Sequence, residues 1–332
     1  MKRRNALSLI GGIAGAGAGT SVLGPGIGIA SARDYPRENS RWHTHADVMD
    51  QLATYEHTSQ GAVSLETIGD SIEGRELVVA TVGDGDTDVF VTSEQHGDEP
   101  TGTVVLLKVL QRLAAGGNAT GPVRDELTVH ALPMHNPDGG MRNQRTNADG
   151  IDPNRQHDYE PGATDNPSPE TQAMIDYVTT LEPTWVADLH TQTGDYVDED
   201  GESISASTFW PIAAGAQPDA VELSKRMNWA MYDEVDDEFG FANMSQYPGG
   251  TGANIARNAY GIRGYGSALL EMTGQVDDRG QRMEGKMVRH MRAQVETLLA
   301  ETADGSLFDR DPDLADTIPE RGSSSPWPWD SE

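Results

Sequence analysis

Two histidines and one glutamate in this sequence have the types and spacing of a metal-binding set. His96 and Glu99 are three residues apart, and Gly97 between them frees the backbone to bend. His190 follows 91 residues after Glu99. Two imidazoles and one carboxylate can bind a catalytic Zn²⁺ and leave one coordination position open for water. The set therefore predicts a zinc site that activates water.

Two of these residues also have a purely structural explanation. Glu99 directly precedes Pro100 and could be an acidic residue favoured by the dipole at a helix N-terminus. A single histidine at the end of a strand, such as His190, is often a core residue with satisfied hydrogen bonds. The three residues alone leave both explanations open.

Apolar, β-branched segments alternate with helical patterns along the middle of the chain. The predicted strands are 77–82, 88–92, 127–132, 185–189 and 267–272. The predicted helices are 100–115, a helix opened by Ser168-Pro169-Glu170, and 283–300. This alternation predicts an α/β sandwich with a largely parallel or mixed sheet.

Ionisable residues follow the predicted strands. Ligands of such sheets bind beyond the carboxyl ends of the strands. The residues found there are His96 and Glu99, the segment 135–138, His190 and Glu271. We therefore expect them to converge on one edge of the sheet.

Several short motifs occur in an order that resembles the zinc carboxypeptidase family, the carboxypeptidase A-like metallopeptidases. In chain order they are 68–75, 96–99, 136–139, 145–155, 169–171 and 270–271. The resemblance runs from about residue 35 to residue 299, which is most of the chain. It implies a three-layer α/β/α sandwich with a mixed, largely parallel central sheet.

The resemblance implies a catalytic centre with one Zn²⁺ per chain. His96, Glu99 and His190 would bind the metal. Glu271 would be the general base that takes a proton from water and delivers it to the leaving amine. Arg145 would face the oxyanion that develops on the peptide carbonyl, where a fixed cation is most effective in the transition state.

The resemblance also implies contacts to a peptide with a free C-terminal carboxylate. Asn154 and Arg155 would bind that carboxylate, since a planar guanidinium suits a bidentate clamp. Arg75 would contact the substrate upstream of the scissile bond. Arg142 is an alternative for the oxyanion role, but Arg145 has the better spacing to Asn154. Together these residues predict a peptidase that removes C-terminal residues.

The segment before Glu271 departs from the family pattern. A mobile tyrosine precedes a Gly-Gly pair in the family, and Tyr247 lies closer to Gly249-Gly250 than that pattern expects. The stretch from Gly250 to Glu271 is also a few residues longer than usual. The candidates for the floor of the specificity pocket are residues 251–254, and none is charged. We therefore expect a preference for neutral or apolar C-terminal residues.

The composition excludes some classes of partner. The chain has 332 residues, with 53 acidic and 24 basic, and a formal net charge of −29. This charge argues against nucleic-acid binding and against docking on anionic membranes. Four Lys against 20 Arg in an acidic chain favours adaptation to high salt, although an ordinary acidic protein is the alternative. The absence of Cys excludes disulfides and thiolate metal sites.

The two ends differ in composition from the middle. Residues 1–32 read as a twin-arginine signal peptide, with Arg3-Arg4 at the start and Ala30-Ser31-Ala32 as the cleavage site. This predicts a secreted protein without stable membrane association after cleavage; an uncleaved anchor is the alternative. Residues 33–303 form the predicted catalytic domain. The acidic, Pro- and Ser-rich segment 304–332 is expected to be a disordered tail.

Two other functions are compatible with parts of the pattern. An N-acyl amino acid deacylase of the aspartoacylase type shares the two-His, one-Glu set, and Asp188-Leu189-His190-Thr191 would suit it. Such enzymes usually lack 136–139 and the long segment around Arg145. A secreted binding module that has lost catalysis should lack Glu271 or Arg145, and both are present. For the oligomeric state of the protein, we expect a monomer.

Overall fold

The centre of the protein is an eight-stranded β-sheet. The computed structural model describes residues 42–192, 195–198, 201, 204–238, 243–272, 277–322 and 324–325. The strands of the sheet are β1 (Val63–Asp70), β2 (Glu76–Val82), β3 (Thr87–Ser93), β4 (Leu127–Leu132), β5 (Trp185–Thr191), β7 (Ala206–Phe209), β8 (Met244–Gln246) and β9 (Gly266–Met272). A separate pair joins β6 (Asp195–Tyr196) to β10 (Ser324–Ser325).

The sheet is mixed and mostly parallel, as predicted. Its order is β1-β2-β4-β3-β5-β9-β7-β8. The pairs β3–β4, β3–β5, β5–β9 and β7–β8 are parallel, whereas β1–β2, β2–β4 and β7–β9 are antiparallel. The parallel central strands bring the carboxyl ends of β3, β5 and β9 to one edge.

Helices cover both faces of the sheet. They are α1 (His45–Thr58), α2 (Thr101–Ala115), α3 (Gly121–Glu126), α4 (Pro137–Arg142), α5 (Pro169–Leu181), α6 (Pro218–Glu238), α7 (Ala256–Arg263), α8 (Asp277–Asp304) and α9 (Ser306–Asp309). Two 3₁₀ helices span Pro153–Arg155 and Pro312–Thr317.

The core has two apolar layers, one on each face of the sheet. In β3, Val89 and Val91 pack in the layer that includes residues of α1, α2, α6 and α8. Phe90, between them, packs in the opposite layer with residues of α5 and α7. Because neighbouring side chains of a strand point to opposite faces, a strand covered on both sides is apolar throughout. The predicted three-layer α/β/α sandwich is confirmed.

The chain beyond α8 corrects one expectation. A disordered tail from residue 304 is wrong for residues 304–322, which form α9 and the second 3₁₀ helix. Leu307 is buried in the larger apolar layer, and Ala315 and Ile318 form a cluster with Trp210. The guanidinium of Arg310 forms ion pairs with acidic residues of α6 and α8. Residues 1–41 and 326–332 lie outside the described part, so the predicted signal peptide and the last residues of the tail stay predictions.

Within the described residues, no helix combines the length and the apolar character that crossing a bilayer requires.

Candidate metal centre and active site

The predicted site residues lie at the carboxyl edge of the parallel strands. His190 is near the end of β5 and Glu271 near the end of β9, and the two are paired in register. His96 and Glu99 are on the loop between β3 and α2. An added Cβ on Gly97 would lie 2.0 Å from the carbonyl carbon of Gly139, so only glycine permits this packing of the loop.

The side chains of His96, Glu99 and His190 converge on one point. Nδ1 of His96 lies 2.8 Å from one carboxylate oxygen of Glu99, and Nδ1 of His190 lies 2.8 Å from the other. The two Nδ1 atoms are 3.1 Å apart. One ligand atom from each of the three buried residues lies within 4.8 Å of the others. The structure thus brings together all three predicted metal ligands.

Each imidazole has a carboxylate at its outer nitrogen. Nε2 of His190 lies 2.9 Å from Oδ2 of Asp188, and Nε2 of His96 lies 3.2 Å from Oδ1 of Asp152. A proton on Nε2 donates to these carboxylates and leaves a lone pair on each Nδ1. Two nitrogen lone pairs and a carboxylate that face one another form a donor set that a metal cation between them would satisfy. This donor set fits Zn²⁺, and outer carboxylates of this kind orient histidine ligands.

The electrostatics also favour positive charge at this point. Burial favours a neutral His190, but Asp188 and Glu99 outweigh burial and raise its pKa well above the usual value. The same balance holds for His96. Burial disfavours its charged form, but Glu99 and Asp152 favour it, so the pKa of His96 is raised. A metal cation would be attracted by the same carboxylates that attract the protons.

Glu271 is buried beside this cluster with spare hydrogen-bonding capacity. Its Oε2 atom has no hydrogen-bond partner among the described residues. Burial raises the pKa of Glu271 to about 7, with a further contribution from the charge of Glu99, while His190 and His96 oppose the shift. A carboxylate with a pKa near neutrality can both accept and release a proton at pH 7.

Glu271 lines a cavity of about 230 Å³ that is also lined by two of the three candidate ligands and by most of the predicted substrate residues. The predicted residues that line it are His96, Glu99, Arg145, Asn154, Arg155, Tyr247 and Glu271. Nη1 of Arg145 lies 3.1 Å from Nδ1 of His96, so its charge lies beside the candidate metal ligands. Nδ2 of Asn154 lies 3.3 Å from Nε2 of His190.

Arg75 is not one of the described lining residues. Its guanidinium instead pairs with Asp138 and Glu73, next to α4. The pocket-floor candidates 251–254 do not line the cavity either; Thr251 and Ala253 are exposed on the outside of the loop. The lining at this point comes from Gly250, Ile255 and Arg257.

Two features of the site were missed by the sequence analysis. Arg257 lines the cavity and is only 3% exposed. Behind His190, Asp188 Oδ2 also accepts a hydrogen bond from Gln95, and Oε1 of Gln95 lies 2.7 Å from Nε2 of His157. The sequence showed Asp188 beside His190, but nothing in it indicated that residues 95 and 157 meet there.

Comparisons with known proteins agree with this geometry. Residues 47–197 match the sequence profile of the family described as zinc carboxypeptidase. Over this segment the chain is similar to the zinc carboxypeptidase family. Carboxypeptidase D of Anas platyrhynchos is 29% identical over 217 residues, which are 58% of this chain and 15% of that protein. Carboxypeptidase D of Homo sapiens is 26% identical over 234 residues, 62% of this chain and 17% of that protein. The chain thus spans about a sixth of the length of these two relatives.

Solved structures share the fold of this chain. A metallo-carboxypeptidase from Burkholderia cenocepacia superposes with a TM-score of 0.62 at 19% identity, covering 78% of this chain and 70% of the other. The metallo-carboxypeptidase of Pseudomonas aeruginosa, in complex with (2-guanidinoethylmercapto)succinic acid, gives 0.59 at 19% identity, covering 76% and 68%. At these identities the likeness establishes the fold.

Proposed function

We propose that this protein is a zinc-dependent metallocarboxypeptidase that releases the C-terminal residue of peptides with a free carboxylate. The observation that carries the proposal is one small cavity that opens onto His96 and Glu99 of the two-His, one-Glu cluster and is also lined by a buried carboxylate with a free oxygen and by three arginines. The match of residues 47–197 to the zinc carboxypeptidase family supports a carboxypeptidase-like hydrolase and a zinc cofactor.

The residues of the cavity divide the chemistry of peptide hydrolysis among them. Zinc, when bound by His96, Glu99 and His190, supplies Lewis acidity and lowers the pKa of water. Oε2 of Glu271 accepts the proton of the attacking water and then donates it to the leaving amine. The guanidinium of Arg145 stabilises the charge that develops on the carbonyl oxygen.

The same cavity offers groups that would select a free C-terminus. The guanidinium of Arg155 would bind the terminal carboxylate, and the buried amide of Asn154 would orient it. Oδ1 of Asn154 accepts a hydrogen bond from the backbone N–H of Ala256 at 2.9 Å, which fixes the amide. A substrate without a terminal carboxylate would lose this interaction.

The test is hydrolysis of an N-blocked dipeptide with a free C-terminal acid, in molar salt, with its C-terminal amide as the control. We expect cleavage of the acid alone, abolished by a zinc chelator. Cleavage of both peptides would contradict selection of a free C-terminus. Cleavage of neither by zinc-loaded protein would contradict the peptidase, and hydrolysis of N-acetylated amino acids would then favour the deacylase.

We also propose that the protein is exported through the twin-arginine route and works as a monomer in high salt. Support comes from the sequence: Arg3-Arg4, Ala30-Ser31-Ala32 and the net charge of −29. Mass spectrometry of protein recovered from the culture medium should find an N-terminus after Ala32. Two measurements across 0.1 to 3 M NaCl, roughly the span over which surface charges become fully screened, test the rest. Size-exclusion chromatography should find a monomer. Thermal unfolding should show a protein that is more stable at high salt.

A further inference from the structure

Arg257 carries a buried positive charge into the candidate active-site cavity. It lies in the first turn of α7, and its side chain lines the cavity together with Tyr247 and Glu271. Its Nη2 donates to the carbonyl oxygen of Gly250 at 2.7 Å, and its Nε donates to that of Trp210 at 3.3 Å. Two backbone carbonyls on different segments therefore fix the guanidinium.

The packing around Arg257 is built to admit a guanidinium. An added Cβ on Gly249 would lie 2.0 Å from Nη2 of Arg257 and 2.8 Å from a ring carbon of Phe209. Any other residue at 249 would displace the arginine. The guanidinium carbon lies 5.2 Å from the centroid of the Phe209 ring, a favourable distance for a cation over an aromatic face.

No carboxylate pairs with this charge in the described part of the chain. None of the ion pairs formed by the described residues includes Arg257. A buried charge without a partner is costly, so such charges in proteins are usually paired or serve a ligand. Burial lowers the pKa of Arg257 to about 10, which leaves it charged at neutral pH. The cavity is where a partner for this charge can enter.

The cavity already has a different arginine for the terminal carboxylate. Arg155 is next to Asn154 in the 3₁₀ helix, whereas Arg257 comes from α7. Leu269 and Ile255 provide apolar lining in the same space. A C-terminal residue that carries a second carboxylate on a short aliphatic side chain would match two cations with an apolar surface between them.

We propose that Arg257 makes this cavity selective for peptides that end in an acidic residue, Asp or Glu. The side-chain carboxylate pairs with Arg257 while the terminal carboxylate binds Arg155. This inference rests on the proposed carboxypeptidase function, and it replaces the expectation of neutral or apolar C-terminal residues, which was based on residues 251–254.

The test compares kcat/KM for N-blocked dipeptides that differ only in the last residue: Glu, Gln, Leu and Lys. Glu and Gln have the same shape, so their ratio isolates the charge. We expect the wild-type protein to favour Glu over Gln by roughly 10²-fold, in the range for a charged hydrogen-bonded pair. In Arg257→Gln the ratio should fall to near 1. In Arg257→Glu the preference should shift from Glu toward Lys.

Arg263→Gln is the matched control. Arg263 is on the same helix and also donates to backbone carbonyls, those of His157 and Tyr159, but it is not among the described lining residues. Its variant should keep the wild-type ratio. Thermal unfolding and zinc content identify any variant that fails to fold. The ratio of kcat/KM for the Glu and Gln peptides, measured on the wild-type protein, tests the proposal without any variant.

The two proposals fail in different ways. Equal kcat/KM of the wild type for the Glu, Gln and Leu peptides would overturn acidic selectivity and leave the carboxypeptidase intact. Failure to cleave any of the four would overturn the carboxypeptidase. In that case calorimetry with free glutamate and glutamine tests whether the cavity is selective for an acidic ligand. Equal affinities would overturn the role of Arg257. Tighter binding of glutamate that Arg257→Gln abolishes would support it.

Discussion

Oδ2 of Asp188 lies 2.9 Å from Nε2 of His190, and both side chains are buried. The same oxygen accepts a hydrogen bond from Nε2 of Gln95 at 2.6 Å. The carboxylate thus fixes the ring orientation of His190 and keeps the lone pair of Nδ1 directed at Glu99 and His96. The geometry of the proposed zinc site depends on a residue that does not touch the metal.

We expect Asp188→Asn to weaken zinc binding by about 10- to 100-fold, the usual cost of losing such an outer carboxylate. The amide is uncharged, so it polarises the His190 ring less than the carboxylate does. Competition with a chromogenic chelator measures the affinity. Asp219→Asn, at an exposed position at the start of α6, is the control. Equal zinc affinity of Asp188→Asn and wild type would show that Asp188 has no part in metal binding.

Glu271→Gln should bind zinc as the wild type does but lose about 10²- to 10⁴-fold in kcat, the range for a positioned acid–base group. The glutamine keeps the shape of the side chain and removes its ability to accept a proton. Stopped-assay kinetics on a free-acid dipeptide, with the zinc content measured on the same sample, provide the readout. Near-normal turnover would remove Glu271 from the mechanism.

The chain after α8 contacts the wall of the cavity through Arg321. Its guanidinium carbon lies 3.7 Å from the Tyr196 ring centroid and 4.5 Å from that of Tyr247, and Nη1 donates to Gln192 at 2.9 Å. Arg321→Ala should raise KM up to about 10-fold, because a cation over two rings helps to hold Tyr247 in the cavity wall. Arg310→Ala, which breaks ion pairs in the same terminal segment, should lower stability and leave KM unchanged. An unchanged KM in Arg321→Ala would contradict this role.

Burial of His290 in α8 predicts loss of stability in acid. Burial lowers its pKa to about 4 from an ordinary 6.5. The unfolded chain therefore binds this proton more readily, so the free energy of unfolding is unaffected above pH 6.5 and falls as pH drops toward 4. The full effect is on the order of 3 kcal/mol.

His290→Gln should remove this contribution, so the slope of unfolding free energy against pH should fall by up to about 1.4 kcal/mol per pH unit between pH 6.5 and 4. Urea unfolding at several pH values measures the slope. Metal release at low pH affects both proteins, so the difference between their slopes is the relevant quantity. His57→Gln, at an exposed histidine, should keep the wild-type slope. Equal slopes for His290→Gln and wild type would refute the prediction.

Sequence reasoning was most successful where the candidate catalytic residues lie in short motifs within or next to regular strands. The strands that hold His190 and Glu271 are apolar on both faces, so their positions and their parallel pairing could be predicted. His96 and Glu99 lie on one turn, and their spacing together with the surrounding motifs predicted shared coordination. The strands β1, β7 and β8 were not predicted, because the burial pattern of β1 is mixed and β7 and β8 are too short to show a period.

Arg257 and the terminal segment could not be predicted for a different reason. The direction of Arg257 depends on how α7 docks against the loop at Gly249, a contact between segments that sequence spacing does not encode. Residues 304–322 are acidic and carry only a few apolar anchors, including Leu307, Ala315 and Ile318, at irregular intervals. Composition indicated disorder there, whereas those anchors fill gaps beside α6 and α8.

The central claim is that His96, Glu99 and His190 bind one zinc ion that peptide hydrolysis requires. The most direct measurement is zinc content and activity on one sample, after removal of metal by a chelator and again during stepwise return of Zn²⁺. We predict activity on a free-acid dipeptide that rises linearly and saturates at one zinc per chain, with His190→Ala neither binding zinc nor gaining activity. Full activity in the metal-free protein, or saturation with zinc by His190→Ala, would contradict the account.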